Sequence, residues 1–155
     1  MLPAAGNTRL FHDRRWHLFH ETPDVSILRR LEDGQLVAQC NISPVASAAP
    51  GRSTPRDEFV RDVRRTLGDR LNQVQKIETI PAANSTGGTL RVTASGVDHG
   101  LAMTWFYYLC TAPTGQQVSL VFAVEQRLLK TWGSRDRDIV STLVFPKRPP
   151  RTAGK

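Results

Sequence analysis

The sequence is poor in the residue patterns that enzymes and metal-binding proteins commonly carry. It has only two cysteines, Cys40 and Cys110, and neither belongs to a CxxC or Cys/His spacing of the kind found in zinc sites. A nucleophile elbow, a P-loop, a dinucleotide fingerprint and a paired-carboxylate motif are also absent from the sequence. We therefore expect a protein that is not an enzyme and that holds no cofactor.

Long apolar runs are missing as well. No stretch approaches the roughly 20 apolar residues that a membrane-spanning helix needs, so we expect no transmembrane segment. The opening residues 1–6 lack the basic and apolar regions of a signal peptide, a start that a domain taken from a longer or secreted precursor would also show. With 155 residues, 39% of them apolar and 23% charged, the chain has the size and composition of one ordinary globular domain.

Acidic residues are too few to balance the basic ones, which leaves a formal charge of +7. Four of the positive charges, Lys147, Arg148, Arg151 and Lys155, belong to a proline-rich tail without acids. We expect residues 147–155 to be a disordered basic tail, residues 1–8 a linker and residues 9–146 a single domain. Because much of the charge excess lies in the tail, we do not expect nucleic acid to be a partner of the folded part.

The first half of the domain is predicted to form a hairpin, a loop and a long helix. Residues 25–42 alternate in polarity on either side of Asp33 and Gly34, a pair suited to a type I′ hairpin turn. Residues 43–53 have the composition of a crossing loop. Thr54 as N-cap and Pro55 at the first helical position begin an apolar repeat of three and four residues. This pattern predicts one amphipathic helix over residues 54–78, in which six basic and five acidic residues make a nearly neutral exposed face.

The second half is predicted to form an antiparallel meander followed by helix. Runs at 89–96, 101–110 and 116–126 are joined by short turn-rich segments. The first run is apolar on one side and the other two on both, so the central strands need cover on both faces. Residues 126–143 have near-helical apolar spacing with a break at Gly133 and Ser134. The fold class that follows is α+β, a three-layer α/β/α sandwich around a central antiparallel sheet.

Several local features allow a functional or a structural interpretation. His17 and His20 have the side chains of metal ligands but lack a defined third ligand, so a partly exposed strand without metal is expected. Asp98 and His99 belong to a turn-forming segment, which favours a hairpin turn over a catalytic pair. Cys40 is expected to be a buried thiol, with a disulfide to the other cysteine as the alternative.

Two further segments complete this set. The aromatic run 105–108 alternates between two apolar faces, which favours a core over a base-stacking platform. Residues 84–86 match the N-glycosylation acceptor pattern, which has meaning only in a eukaryotic secretory route.

The order of elements resembles the PsbP-like fold. The resemblance covers about residues 9–146: the strand with Trp16, the hairpin, the helix at Thr54, the meander, and a closing IVSTLVF segment at 139–145. Extrinsic photosystem II proteins, Ran-binding nuclear import factors and many bacterial envelope proteins of unknown function share that fold. The resemblance implies a non-enzymatic scaffold that binds a protein or a small ligand, and an extracytoplasmic location, in the periplasm or cell envelope. No site residue of the family can be carried over.

Two functions are therefore considered. The first is a protein- or small-ligand-binding assembly module, a domain of a bacterial envelope protein, whose partner surface would include Trp16, His17, His20, Arg64 and Arg65. The second is a nucleic-acid- or anion-binding domain that uses surface arginines, namely Arg14, Arg15, Arg29, Arg30, Arg64 and Arg65. A continuous basic stripe would favour the second function, and scattered charge the first.

Overall fold

The computed structural model describes residues 2–3, 9–10, 14–80 and 88–145. The strands are β1 (Leu2–Pro3), β2 (Arg9–Leu10), β3 (Trp16–Glu21), β4 (Ser26–Glu32), β5 (Gln35–Val45), β6 (Leu71–Ile80), β7 (Gly88–Asp98), β8 (Leu101–Thr111) and β9 (Gln117–Glu125). The helices are α1 (Arg56–Leu67), α2 (Leu129–Trp132) and α3 (Arg135–Val140), with 3₁₀ turns at Gly68–Arg70 and Gln126–Leu128. β1 pairs with β2, and the other strands form a seven-stranded sheet in the order β3-β4-β5-β9-β8-β7-β6. Neighbouring strands pair antiparallel throughout, so the predicted α+β class with an antiparallel sheet is confirmed.

The hairpin of β4 and β5 has the predicted turn. Asp33 and Gly34 have φ values of 51° and 76°, the conformation that a type I′ turn requires of both central residues. β5 then runs further than predicted, to Val45, and the loop that follows is held by backbone bonds. The Ala48 amide donates to the Gly115 carbonyl and the Gly51 amide to the Pro113 carbonyl, both at 2.8 Å.

The long helix predicted for residues 54–78 is wrong in its second half. α1 ends at Leu67, where Gly68 takes a φ of 53°, and residues 71–80 form edge strand β6 instead. Thr54 is not the N-cap either: Pro55 holds that position, and the Thr54 hydroxyl lies 3.0 Å from the side-chain amide of Gln117.

The apolar spacing of β6 looks helical because the strand is bulged. Register shifts after Leu71 and Val74 each insert one residue against β7. The strand therefore uses three residues where β7 uses two, and Leu71, Val74 and Ile77 pair with alternate β7 residues. Apolar residues spaced three apart, a pattern that normally indicates a helix, therefore lie on one face of this strand.

The predicted meander of β7, β8 and β9 is confirmed, with β8 buried continuously from Thr104 to Thr111. The aromatic run on β8 is core, as expected. The expectation that β7 is half-exposed is wrong, because Arg91 and Ser95 are both 7% exposed. Arg91 is covered on this side by α3, because its guanidinium is bonded to Asp136.

The two faces of the sheet carry separate apolar clusters. On one face, α1 inserts Phe59, Val63 and Leu67 against β7 and β8. On the other face, Trp132, Ile139 and neighbouring residues of α2, α3 and the chain after them pack on the central strands. The predicted break between these C-terminal helices is confirmed, since Gly133 has a φ of 60°. Cys40 and Cys110 are both free and buried in the second cluster.

The glycosylation pattern at 84–86 and the tail 147–155 lie outside the described residues. Within the described residues, no helix combines the length and the apolar character needed to cross a bilayer.

Candidate functional site

The histidines assigned to a partner surface lie on edge strand β3, and both are exposed. A bulge between Leu18 and His20 places His17 opposite Arg29 and His20 opposite Ile27. Because Arg29 and Ile27 share one face of β4, the two histidines share a face as well, although a regular strand would separate them. The described residues contain no cluster of three or more potential metal ligands.

Trp16 is not available to a partner. It is 4% exposed, and its ring makes edge contacts with Trp132 at 6.1 Å and Phe122 at 6.0 Å. Its assignment to the partner surface was wrong, because the strand end that carries it lies over the core of the α2 and α3 face.

Arg64 and Arg65 are exposed on α1, away from the histidines. α1 covers β7 and β8, whereas β3 is the opposite edge strand, about 20 Å away at the usual strand spacing. The residues assigned from sequence therefore do not form one surface.

Four of the six arginines considered for nucleic acid make contacts within the protein, among them Arg15, whose guanidinium lies 3.9 Å from the Glu32 carboxylate. Arg30 is 2% exposed and bonded to Glu32, and Arg65 pairs with Asp62. Arg29 stacks on the Phe19 ring, with 3.6 Å from its guanidinium carbon to the ring centroid.

A groove runs beside α1, where the helix leaves part of its sheet face uncovered. Beyond β9, the same face continues over β5 and β4 with half-buried Gln39, Asn41, Arg29 and Ile27. Two adjoining pockets lie along this groove and share Thr66 and Tyr107 as lining residues. We call this feature the α1 groove.

The first pocket of the α1 groove, the apolar pocket, has a volume of about 190 Å³. Its apolar walls are Val45, Phe59, Val63 and Leu109, and the remaining lining residues are Thr54, Asp62, Thr66, Tyr107 and Ser119. An aliphatic or aromatic side chain would find mainly apolar contacts here.

The second pocket, the polar pocket, has a volume of about 260 Å³. It is lined by Gln39, Asn41, Thr66, Arg70, Asp98, Trp105, Tyr107, Val121 and Ala123. Arg70 is fixed at its rim: Nη2 donates to the Thr66 carbonyl at 2.9 Å, and the guanidinium lies 3.7 Å from the Asp98 carboxylate. Burial raises the pKa of Tyr107, and the charge of Arg70 offsets part of that rise.

Two side-chain hydrogen bonds connect β4 to the polar pocket. Arg29 Nε donates to Gln39 Oε1 at 3.2 Å, and Gln39 Nε2 donates to Asn41 Oδ1 at 3.1 Å. Because Arg29 can only donate, it fixes the orientation of the Gln39 amide, which in turn fixes that of Asn41.

A second polar cluster lies buried on the opposite face of the sheet. Asp136 of α3 is fully buried and accepts hydrogen bonds from Arg91 at 2.7 and 3.1 Å, from the Tyr108 hydroxyl at 2.5 Å and from Trp132 Nε1 at 3.0 Å. Burial, and then the charge of Asp136, raise the pKa of Tyr108 well above its usual range. With both carboxylate oxygens bonded, this cluster holds α3 on the sheet and presents no free reactive group.

The sequence patterns predicted neither the buried cluster around Asp136 nor the α1 groove. Arg91 and Asp136 are separated by 45 residues, and no local pattern connects them. The α1 groove had a partial signal, because Gln39 and Asn41 alternate with buried residues on β5 and mark a polar sheet face.

No protein-family model and no curated protein matches this chain. Among solved structures, the fold is similar to that of PA94 from Pseudomonas aeruginosa, a protein of unknown function that has been suggested to be a regulator. The match has a TM-score of 0.57 at 13% identity and covers 91% of this chain and 99% of PA94. At this identity the comparison establishes a shared fold and nothing about activity.

Proposed function

We propose that this protein is a non-enzymatic binding module that holds an extended segment of a partner protein in the α1 groove. The observation that carries the proposal is the pair of adjoining pockets, one apolar and one polar, between α1 and the sheet. Each pocket alone is smaller than the roughly 300 Å³ at which ordinary small-molecule sites begin. A chain-like ligand would use both.

The shape of the α1 groove suits an extended chain. On β9 its floor runs from Ser119 to Ala123, about 13 Å at the rise of an antiparallel strand. A peptide lying along this floor would alternate its side chains between the pockets and solvent.

The chemistry of the described side chains supports binding over catalysis. Burial raises the pKa of Cys110 to about 12 and that of Cys40 well above its usual range, so neither thiol is an activated nucleophile. The buried carboxylate of Asp136 is fully bonded. The two carboxylates that line the α1 groove, Asp62 and Asp98, are paired with Arg65 and Arg70. The other polar groups of the groove are amides, hydroxyls and a guanidinium, which recognise ligands more readily than they transform them.

A PsbP-like fold and a location at the bacterial envelope are part of the same proposal. Helices packed on both faces of an antiparallel sheet support a PsbP-like three-layer sandwich. A role in assembly at the bacterial envelope, or in regulation as suggested for PA94, would each use a groove of this kind.

A peptide selection with a blocked groove tests the proposed function. Peptides would be selected from a phage-displayed library of random dodecamers and then compared on two variants. Ser119→Trp places a large side chain on the groove floor. Lys130→Trp places the same side chain at an exposed position of α2, on the opposite face of the sheet. We expect selected peptides to bind wild type and Lys130→Trp alike and to lose binding to Ser119→Trp. Peptides that bind all three equally, or a library that gives no binder, would contradict the proposal.

A further inference from the structure

We infer that the polar pocket of the α1 groove binds a carboxylate, so that the partner segment carries an acidic residue two positions from an apolar one. This inference rests on the proposed function and specifies the chemistry of its ligand. It follows from the hydrogen-bond donors of the polar pocket that remain available once the bonds within the protein are formed.

The hydrogen bonds between Arg29, Gln39 and Asn41 use the amide oxygens as acceptors and leave some of the amide hydrogens without a partner. Both amide oxygens are used internally, by Arg29 Nε and Gln39 Nε2. Among the described residues, Asn41 Nδ2 and the second hydrogen of Gln39 Nε2 have no acceptor. Each amide oxygen already accepts one bond whereas these donor hydrogens make none, so a ligand that supplies acceptor atoms is favoured.

Tyr107 and Arg70 strengthen this preference. The Tyr107 residue is 7% exposed, and its hydroxyl has no hydrogen-bond partner among the described residues although it lines the pocket. The Arg70 guanidinium adds a fixed positive charge at the rim. Donors from three strands or turns thus converge on one small volume, as in sites that bind carboxylates.

The acid in the pocket lining does not cancel this charge. The Asp98 carboxylate lies 2.8 Å from His99 Nδ1 and 3.7 Å from the Arg70 guanidinium. Arg29 adds a second positive charge next to Gln39. Asp62, which lines the apolar pocket, is paired with Arg65, so Arg29 and Arg70 outnumber Asp98 and an anionic group is favoured over a neutral or cationic one.

The neighbouring apolar pocket fixes the spacing of the ligand. On β9 the apolar pocket is lined by Ser119, and the polar pocket is lined by Val121, two residues further on, and by Ala123. In an extended peptide, side chains two positions apart lie on one side at about 7 Å. An apolar residue followed two positions later by Asp or Glu would fill both pockets.

A matched pair of capped peptides tests the inference by NMR titration of the ¹⁵N-labelled protein. The probes are N-acetyl-Leu-Ala-Asp-amide and N-acetyl-Leu-Ala-Asn-amide, which differ only in the charged group. We expect the Asp peptide to bind about tenfold more tightly, as charge-assisted hydrogen bonds imply, and to shift the side-chain amide signals of Gln39 and Asn41. Equal affinity for the two peptides, or no shift of these signals at about 10 mM peptide, would overturn the inference.

Two variants locate the effect. Asn41→Asp keeps the bond from Gln39 but replaces a free donor with an acceptor, and it should abolish the preference for the Asp peptide. Gln35→Glu makes the same change in charge at an exposed end of β5 and should retain the preference. Retention in both variants would place the carboxylate elsewhere and contradict the inference. The proposed function stands separately if selected dodecamers require an open groove yet contain no acidic residue.

Discussion

At the scale of single residues, Asp136 is the side chain that bonds α3 to the sheet. It is a fully buried carboxylate on the short helix α3, and its charge is balanced by Arg91 from β7. A buried ion pair gains little net stability, but removing one partner leaves the other charge uncompensated. In that event Glu78, at 2.9 Å on the more exposed side of the cluster, is the one charged partner that Arg91 retains among the described residues.

Substituting Asp136 by asparagine should therefore destabilise the domain strongly. We expect a loss of about 3 kcal/mol in the free energy of unfolding, because the buried Arg91 guanidinium loses its charged acceptor. Urea unfolding followed by tryptophan fluorescence measures the loss. Asp138→Asn, an exposed position on the same helix, should change stability by less than about 0.5 kcal/mol. Similar midpoints for the two variants would refute this account of Asp136.

Glu78 gives the same cluster a pH dependence. Burial alone would raise its pKa, but bonds from Lys76, Arg91 and Arg137 together lower it from 4.5 to about 2. Because the pKa is lower in the folded state, Glu78 stabilises the fold above about pH 4.5, and this contribution is lost as the pH falls toward 2. Glu78→Gln should be less stable than wild type at pH 7 and should lose less stability between pH 5 and pH 2. Parallel stability curves for the two proteins would show that this ion-pair cluster has no such role.

At the scale of elements, β6 shows what a sequence pattern can and cannot establish. The hairpin turn at Asp33 and the meander were predictable, because turn chemistry and alternation are local. β6 was not, because its two bulges change the strand period to three. Only its pairing with β7, set by the tertiary structure, distinguishes it from a continuation of α1. The α1 groove was equally beyond local patterns, since it joins residues of a helix, a 3₁₀ turn and four strands.

The turn from α1 into β6 depends on a close backbone contact at Gly96. A Cβ atom at Gly96 would lie 1.8 Å from the Arg70 carbonyl oxygen, which belongs to backbone and cannot rotate away. Gly96→Ala should therefore cost at least about 2 kcal/mol of stability and loosen β6 at the edge of the sheet. Thermal unfolding and amide hydrogen exchange of β6 measure both effects.

Gly88→Ala is the matched control for this prediction. Gly88 lies in the same strand, and a Cβ atom there would have no neighbour within 4 Å in the part of the chain that the structure describes. We expect its effect to stay within about 0.5 kcal/mol. If Gly96→Ala were as mild as this control, the contact with Arg70 would not constrain the turn.

At the scale of the whole molecule, the sheet is covered unequally. The face beneath α2 and α3 is closed by apolar packing and by the fully bonded Asp136. The other face is closed over β7 and β8 by α1 but continues, half-buried and polar, over β5 and β4. If this face were core, apolar residues would be expected at positions 39 and 41. The polar side chains of Gln39 and Asn41 therefore indicate a surface that meets water or a partner.

The most direct test of the central claim is to map where a selected peptide contacts the protein. Intermolecular NOEs between a ¹³C,¹⁵N-labelled domain and an unlabelled selected dodecamer would identify the contact residues. We predict NOEs to Phe59 and Leu109 in the apolar pocket and to Asn41, Tyr107 and Val121 in the polar pocket. NOEs confined to the exposed residues of β3, or to the α2 and α3 side of the sheet, would contradict the assignment of the α1 groove as the binding site.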